Sequence, residues 1–226
     1  MIIGNGLLAK SFVRNFGDDP EIVIFASGVS NSRETHRDAF LREKHMLSEA
    51  LGLKKMLVYF STCSVNDPEL VDTPYVNHKI EMEALVSAVQ DFTIFRLPQV
   101  VGKTQNPNTL TNFLYQKIMS GSSFQVWSHA TRNLIDADDV AAIATHLIHS
   151  AVANGMTINI ACPYFISIPR LVGIFETVLG KKANYSVVDA GGTYAIDSQL
   201  AARVAKQIGI NFDDSYIEKL IRKYYC

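Results

Sequence analysis

Cysteine is scarce in this chain of 226 residues. The three present, Cys63, Cys162 and Cys226, are far apart, odd in number and without metal-ligand spacing. That argues against a disulfide framework or a zinc site and for a reduced, cytoplasmic setting. Long apolar runs are missing too: none approaches the roughly 20 residues of a membrane span. The N-terminus has no charged segment leading into an apolar one, so no signal peptide is expected. Neither charge is in excess. A net charge of -1 leaves no footprint for nucleic acid or an anionic membrane, so a polyanionic ligand has to be met by local groups. His36, His45, His129, His146 and His149 are scattered, and no metal site is expected. Repeats and low-complexity segments are absent. What is there, 48% apolar residues, suits one soluble globular domain, or one domain with a small lobe.

Short β-branched runs alternate with helical periodicity along the chain. Strands are expected at the Ile2-Ile3 stub and at residues 21–26, 56–60, 92–95, 124–127 and 157–161. Helices are expected over 7–16, 37–51, 75–89, 110–119, 138–149, 168–179, 197–208 and 215–224, the fifth starting at an acidic N-cap pair. This order indicates βαβ units and a mostly parallel sheet.

Two segments carry chemistry. Tyr75 and Lys79, four apart, share one face of a helix. There the ammonium can lower the phenol's pKa, while a nearby hydroxyl, Thr62, holds a carbonyl oxygen. Together they form a proton relay for reducing a ketone or oxidising an alcohol. The plainer reading is a packed tyrosine and a solvated lysine. Asn77 and His78 inside the same segment read as ordinary surface positions, and Cys63 as a small core residue. The second segment, Gly4-Asn5-Gly6-Leu7-Leu8-Ala9, follows a strand stub and opens a helix, the context of a dinucleotide phosphate loop. Its helix N-terminus offers N–H groups to a pyrophosphate. A glycine turn between strand and helix is the alternative.

Taken together these segments resemble the extended short-chain dehydrogenase/reductase superfamily, of the NAD-dependent epimerase/dehydratase type. Phe25-Ala26-Ser27-Gly28-Val29 is similar to the end of that family's fourth strand, and Ser61-Thr62-Cys63-Ser64-Val65 to its catalytic serine/threonine strand. Tyr75 and Lys79 match its catalytic pair. Arg96 to Gly102 and Arg132 to Ala141 resemble two later motifs. The short spacing that places Tyr75 thirteen positions after Thr62, with Gly102-Lys103, resembles that of the capsular-polysaccharide 4-keto-sugar-nucleotide reductases. The resemblance implies an α/β, Rossmann-like, doubly wound parallel sheet with a small C-terminal substrate lobe. The chain then forms a single unit over 1–226, with a nucleotide-binding core at about 1–120 and 130–160 and a lobe at about 103–130 and 162–226. It implies NAD or NADP, held by Gly4, Gly6, Leu7, Leu8, Ala26, Ser27, Ser61, Lys79, Leu97 and Pro98. It implies catalysis by Thr62, Tyr75 and Lys79, and a nucleotide sugar met by Thr62, Tyr75, Gln99 and Arg132. For Arg132 a surface salt bridge to Asp136 or Asp138 weighs about equally. A homodimer is compatible with the resemblance; a nucleic acid or membrane partner is not expected.

Departures shape the functional expectation. Phe25 follows Gly6 by only nineteen positions, where the family has further strands and a helix. Either residues 21–26 stand at the second-strand position, with Ser27, Ser30 or Arg33 near an NADP 2′-phosphate, or they are the fourth-strand equivalent and one or two strands are lost. The second reading is preferred, and it removes much of the adenosine pocket. Cys63-Ser64 replaces the Asp-Glu of the 4,6-dehydratases, which removes the acid and base of dehydration. Gln99 stands for an asparagine, Ala137 for a histidine, and no arginine lies near Val187. The leading expectation is an NAD(P)H-dependent reductase of a 4-keto nucleotide sugar in polysaccharide or deoxysugar synthesis. The alternatives are a 4-epimerase and a non-catalytic dinucleotide-binding sensor or scaffold.

Overall fold

In the computed structural model, which describes residues 1–226, strands and helices alternate from the first residues onward. The order is β1 (Ile2–Ile3), α1 (Leu7–Phe16), β2 (Ile22–Phe25), α2 (Arg37–Leu51), β3 (Met56–Thr62), α3 (Pro74–Ser87), β4 (Phe92–Leu97), β5 (Gln99–Val101) and α4 (Leu110–Ser120). Then come β6 (Phe124–Trp127), β7 (Thr131–Arg132), β8 (Leu134–Asp136), α5 (Ala137–His149), β9 (Met156–Asn159), β10 (Ile166–Ser167), α6 (Ile168–Leu179), β11 (Tyr185–Val188), α7 (Gln199–Gln207) and α8 (Tyr216–Tyr225). A single 3₁₀ turn, Cys63–Asn66, closes β3. Local chemistry marks the boundaries. Thr73 caps α3 with its hydroxyl, and Pro74 occupies the first turn, where its missing N–H costs nothing. For α5 the cap is Asp136, accepting from the Asp138 amide at 2.9 Å, rather than the expected Asp138-Asp139 pair.

Strands β1, β2, β3, β4 and β9 form one parallel sheet in that order. The order decides between the two readings of the short first half. A second strand of a doubly wound sheet would lie on the far side of β1 from β3; here β2 stands between β1 and β3 and pairs with both. β2 is therefore the fourth-strand equivalent, paired directly to β1.

The two faces of the sheet carry separate cores. Ile24, Val58, Phe60 and Phe95 pack with Phe12 and Phe16 of α1 and with α5 and α7. Val23, Phe25, Leu57, Tyr59 and Ile94 pack with α2 and α3 on the other face. The crossovers β1–α1–β2 and β2–α2–β3 advance the same way through the sheet but pass over opposite faces, so their hands are opposite. The α2 and α3 crossovers share one hand, the right-handed one that ~98% of such units adopt. By the same test the later β4–α5–β9 connection, whose α5 packs on the α1 face, has the other hand, and so has the α1 crossover. Its consequence is local: helices leave the adjacent strands β1 and β2 toward opposite faces, which opens a crevice at their carboxyl ends. Such crevices hold ligands in open α/β sheets.

A smaller assembly stands beyond the carboxyl edge. Three two-strand pairs, β5 with β8, β6 with β11 and β7 with β10, join α4, α6 and α8 around Leu114, Ile118, Val126, Leu171, Phe175 and Ile221. Lys223 of α8 bridges Asp136 and Asp138, each at 2.7 Å, and fastens this unit to the start of α5.

Candidate active site

The crevice wall at β1 is glycine-built. Gly4 has φ +126°, a region open to glycine, and a Cβ there would strike the carbonyl oxygen of Ala26, just past β2. Gly6 caps α1 with no side-chain hydrogen bond, and a Cβ there would meet nothing within 4 Å. The space beside Gly6, at the N-terminus of α1, is thus open, and the first amides of a helix have no partner within it. Behind them, Gly102 lets Leu7 approach: a Cβ at 102 would lie 2.6 Å from the Leu7 side chain. Opposite, Ala26 and Ser27 are half-buried, and Arg42 of α2 donates to the Ser27 carbonyl oxygen at 3.2 Å and to its hydroxyl at 3.3 Å.

Thr62 ends β3 and Tyr75 opens α3, so the two hydroxyls meet at the carboxyl edge of the sheet. Both side chains are buried. Burial raises the Tyr75 phenol to about 12, against the Thr62 hydroxyl, which favours its anion. The sequence suggested that Lys79 would lower this phenol. Lys79 is instead engaged elsewhere: its Nζ donates to Glu43 Oε1 at 2.9 Å and to the Tyr59 hydroxyl at 3.0 Å. Glu43, on α2, is fully buried, and its Oε2 accepts from the Val29 amide at 2.6 Å. Tyr59 donates to Oε1 at 2.6 Å, and His78 Nε2 lies 3.0 Å from Oε2. An ionised carboxylate only accepts, so Nε2 carries the proton. Burial acts to raise the Glu43 carboxyl, but the surrounding donors and the ammonium win and hold it well below the usual carboxylate range. Burial pulls Lys79 down from its ordinary value, against the pull of Glu43. His78, read from the sequence as a surface residue, is thus a buried member of this cluster.

The remaining sequence-derived residues are dispersed around these two groups. Ser61, beside Thr62, has a buried hydroxyl without a hydrogen-bond partner. Leu97 is buried and Pro98 half-buried at the end of β4, which pairs with β3 through Thr62 and Leu97. Gln99 is half-buried in β5. Arg132 makes neither ion pair considered for it; its guanidinium donates to the Thr131 carbonyl at 2.7 Å, while Asp136 and Asp138 pair with Lys223. Cys63 is buried, its thiol pushed up to about 12 by burial.

Three contributors escaped the sequence reading. Glu43 sits inside an ordinary amphipathic helix and Tyr59 inside a strand buried on both faces, with no motif around either. Tyr194 lies in the segment between β11 and α7, hydrogen-bonded to Ser64 and packed on Cys63 and Ala161. No local pattern announces it.

A nicotinamide dinucleotide can be tested against these groups. The glycine wall and the free N-terminus of α1 suit a pyrophosphate. The unpartnered Ser61 hydroxyl, with Leu97 and Pro98, suits the nicotinamide end. On the adenosine side no strand stands beyond β1, and Arg42 closes over Ser27.

Sheet, glycine wall and Thr62–Tyr75 pair define an enzyme of the extended short-chain dehydrogenase/reductase type. The chain belongs to the NAD-dependent epimerase/dehydratase family, whose model matches residues 6–161. Among solved structures it is similar to UDP-glucuronic acid 4-epimerase from Bacillus cereus in complex with NAD, at 17% identity, TM-score 0.69, over 99% of this chain and 86% of that one. It is similar to dTDP-glucose 4,6-dehydratase from Bacillus anthracis in complex with NAD, at 14% identity, TM-score 0.70, over 97% and 77%. RMD from Pseudomonas aeruginosa, complexed with NADPH, matches at 17% identity, TM-score 0.64, over 97% and 84%. These likenesses carry the fold. No curated protein sequence matched.

Proposed function

We propose that the protein reduces the 4-keto group of a nucleotide sugar with NAD(P)H, in cytoplasmic polysaccharide or deoxysugar synthesis. The observation that carries this reading is the buried Thr62–Tyr75 pair, a phenol beside a hydroxyl at the carboxyl edge of the sheet; burial pushes that phenol up to about 12 from its ordinary 10.0, which favours giving a proton over taking one. A reductase needs a proton donor at the carbonyl oxygen. An epimerase must first take a proton from the C4 hydroxyl, a task for which this phenol is poorly set.

The bound nicotinamide supplies hydride to the carbonyl carbon. Thr62 hydrogen-bonds the carbonyl oxygen and orients it toward Tyr75. Tyr75 gives its proton to that oxygen as negative charge develops there, and the phenolate then recovers a proton from solvent. Gly4, Gly6, Leu7 and Leu8 hold the pyrophosphate, with Ala26 and Ser27 on the facing wall. Ser61, Leu97 and Pro98 would border the nicotinamide, and Lys79 would be the cation nearest its ribose. Gln99 and Arg132 face the sugar nucleotide from the lobe, with Arg132 meeting the diphosphate. Dehydration is not part of this reading, because Cys63-Ser64 offers no carboxylate pair.

The test is consumption of NADH or NADPH by purified protein given a 4-keto sugar nucleotide made in situ by a 4,6-dehydratase. Stoichiometric oxidation of the cofactor, lost in Tyr75→Phe, is expected. No oxidation of either cofactor across UDP- and dTDP-linked 4-keto sugars would sink the reading.

A further inference from the structure

A carboxylate with no exposed surface is costly to bury unless it serves something, since desolvation of such an ion amounts to several kcal/mol even after relaxation. Glu43 is that carboxylate, and the fold is shaped around it. Four donors converge on it: the Val29 amide, Tyr59, His78 and Lys79. The loop after β2 lies against the ion pair, for a Cβ on Gly28 would stand 2.6 Å from Lys79 Nζ and 2.9 Å from Glu43 Oε1. Tyr59 closes a triangle, donating to Glu43 while accepting from Lys79. Lys79 lies one turn along α3 from Tyr75, yet its ammonium is committed to α2 and β3.

We propose that Glu43 is a positioning residue of the relay: by pairing with Lys79 it neutralises the ammonium and withdraws it from Tyr75, so that the phenol works as a proton donor and not as a base. The site is thereby biased toward reduction. This deepens the reductase reading and rests on it for its meaning, though not for its test.

The groups facing Tyr75 are few. β3 offers Thr62 and Tyr59, α2 offers Glu43, and the segment after β11 offers Tyr194. Along α3 stand Lys79, His78 and Glu83, the last held by Arg96 of β4 at 2.6 Å. Apart from Lys79, the fixed cation in this set is Arg96, and it is neutralised by Glu83; His78 is itself held on Glu43 at 3.0 Å. Lys79 is therefore the fixed charge on the Tyr75 helix able to stabilise a phenolate, and Glu43 is what occupies it.

The experiment follows the ionisation of Tyr75 directly, by NMR of protein carrying ring-labelled tyrosine, with the resonance assigned through Tyr75→Phe. In the parent protein the Tyr75 signal is expected to keep its neutral position as the pH passes 10.0, the ordinary tyrosine value. Half-titration at or below that value overturns the proposal without any variant being made. In Glu43→Gln, which keeps the shape and removes the counter-charge, the midpoint is expected to fall by about one pH unit or more. Glu43→Gln/Lys79→Met, which removes both charges, is expected to return it to the parent value. A folded Glu43→Gln with an unmoved titration overturns the proposal, as a purely structural glutamate would leave it unmoved. The titration needs no substrate. Absence of turnover in the parent protein would sink the reductase reading and leave this result standing.

Discussion

The two walls of the cleft are built to different standards. At β3 and α3, Thr62, Tyr75 and Lys79 are buried, with Thr62 accepting from the Ser64 amide and Lys79 donating to Glu43 and Tyr59. At β1, two residues of strand carry Gly4, Asn5 and Gly6 into solvent, with no further strand beside them. The contrast teaches that proton chemistry and dinucleotide grip are separable parts of this fold. The chemistry needs fixed hydroxyls in a low-dielectric setting. The grip needs only a crevice and free amides, and the left-handed α1 crossover preserves both while the adenosine wall is gone.

Breaking the chemical wall should give the largest effects. Tyr75→Phe is expected to lower turnover by roughly 10²–10⁴-fold, the usual contribution of a positioned proton donor, with the melting temperature little changed. Steady-state kinetics beside a thermal melt check both halves. Glu43→Ala leaves Lys79 buried without its anion and is expected to cost about 3–5 kcal/mol, read as a large fall in the denaturant midpoint. A milder form of the same test is acid. The Glu43 carboxyl is held well below its ordinary 4.5 in the folded chain, so only the unfolded chain takes up a proton just below that pH. Its stabilisation is complete above pH 4.5 and is lost as pH falls from there toward the depressed folded value. Melts between neutral and acid pH should show this slope in the parent and a shallower one in Glu43→Gln.

The glycine wall should respond unevenly. Gly4→Ala forces a side chain into positive φ and onto the Ala26 carbonyl, a strain on the order of 1–3 kcal/mol that any melt will register. Gly6→Ala meets no atom within 4 Å and should fold normally while weakening NAD(P)H binding. Equal destabilisation by both would mean that the loop is only a structural turn.

How far the sequence reached follows from which signals are local. The strands of the main sheet were legible as β-branched runs, and α3 as the helical stretch over 75–89 that carries Tyr75 and Lys79. The lost strands were legible as the short interval from Gly6 to Phe25, together with Ala26-Ser27-Gly28. The two- and three-residue strands β5, β7, β8 and β10 were not, because so short a run has no period to read. The Thr62–Tyr75 pair was found because both members sit in recognisable segments. Glu43 was not, since α2 reads as a common amphipathic helix and only the folded packing carries its glutamate to zero exposure. The same long-range contact reversed the expectation for Lys79 and took His78 from surface to core. Charge pairs across thirty-five residues leave no trace in spacing.

The smallest expected effect addresses the adenosine side itself. In a doubly wound sheet of full width, strands beyond the first would wall the adenine, and a pocket that hydrogen-bonds a base rejects an analogue with altered donors. Here β1 is the edge strand, and the cation near that side, Arg42, already donates to Ser27. Exchanging adenine for hypoxanthine keeps the pyrophosphate and nicotinamide and changes only the base edge. Reduced nicotinamide hypoxanthine dinucleotide is therefore expected to bind within about threefold of NADH, a difference near 0.6 kcal/mol. The measurement is paired fluorescence titration, with the Bacillus cereus UDP-glucuronic acid 4-epimerase as the full-width comparison. A loss of tenfold or more here would mean that the base is gripped after all, by residues of the loop after β2 or by a second copy of the chain. The contrast between a firm chemical wall and an open adenosine wall would then fail at the side on which it rests.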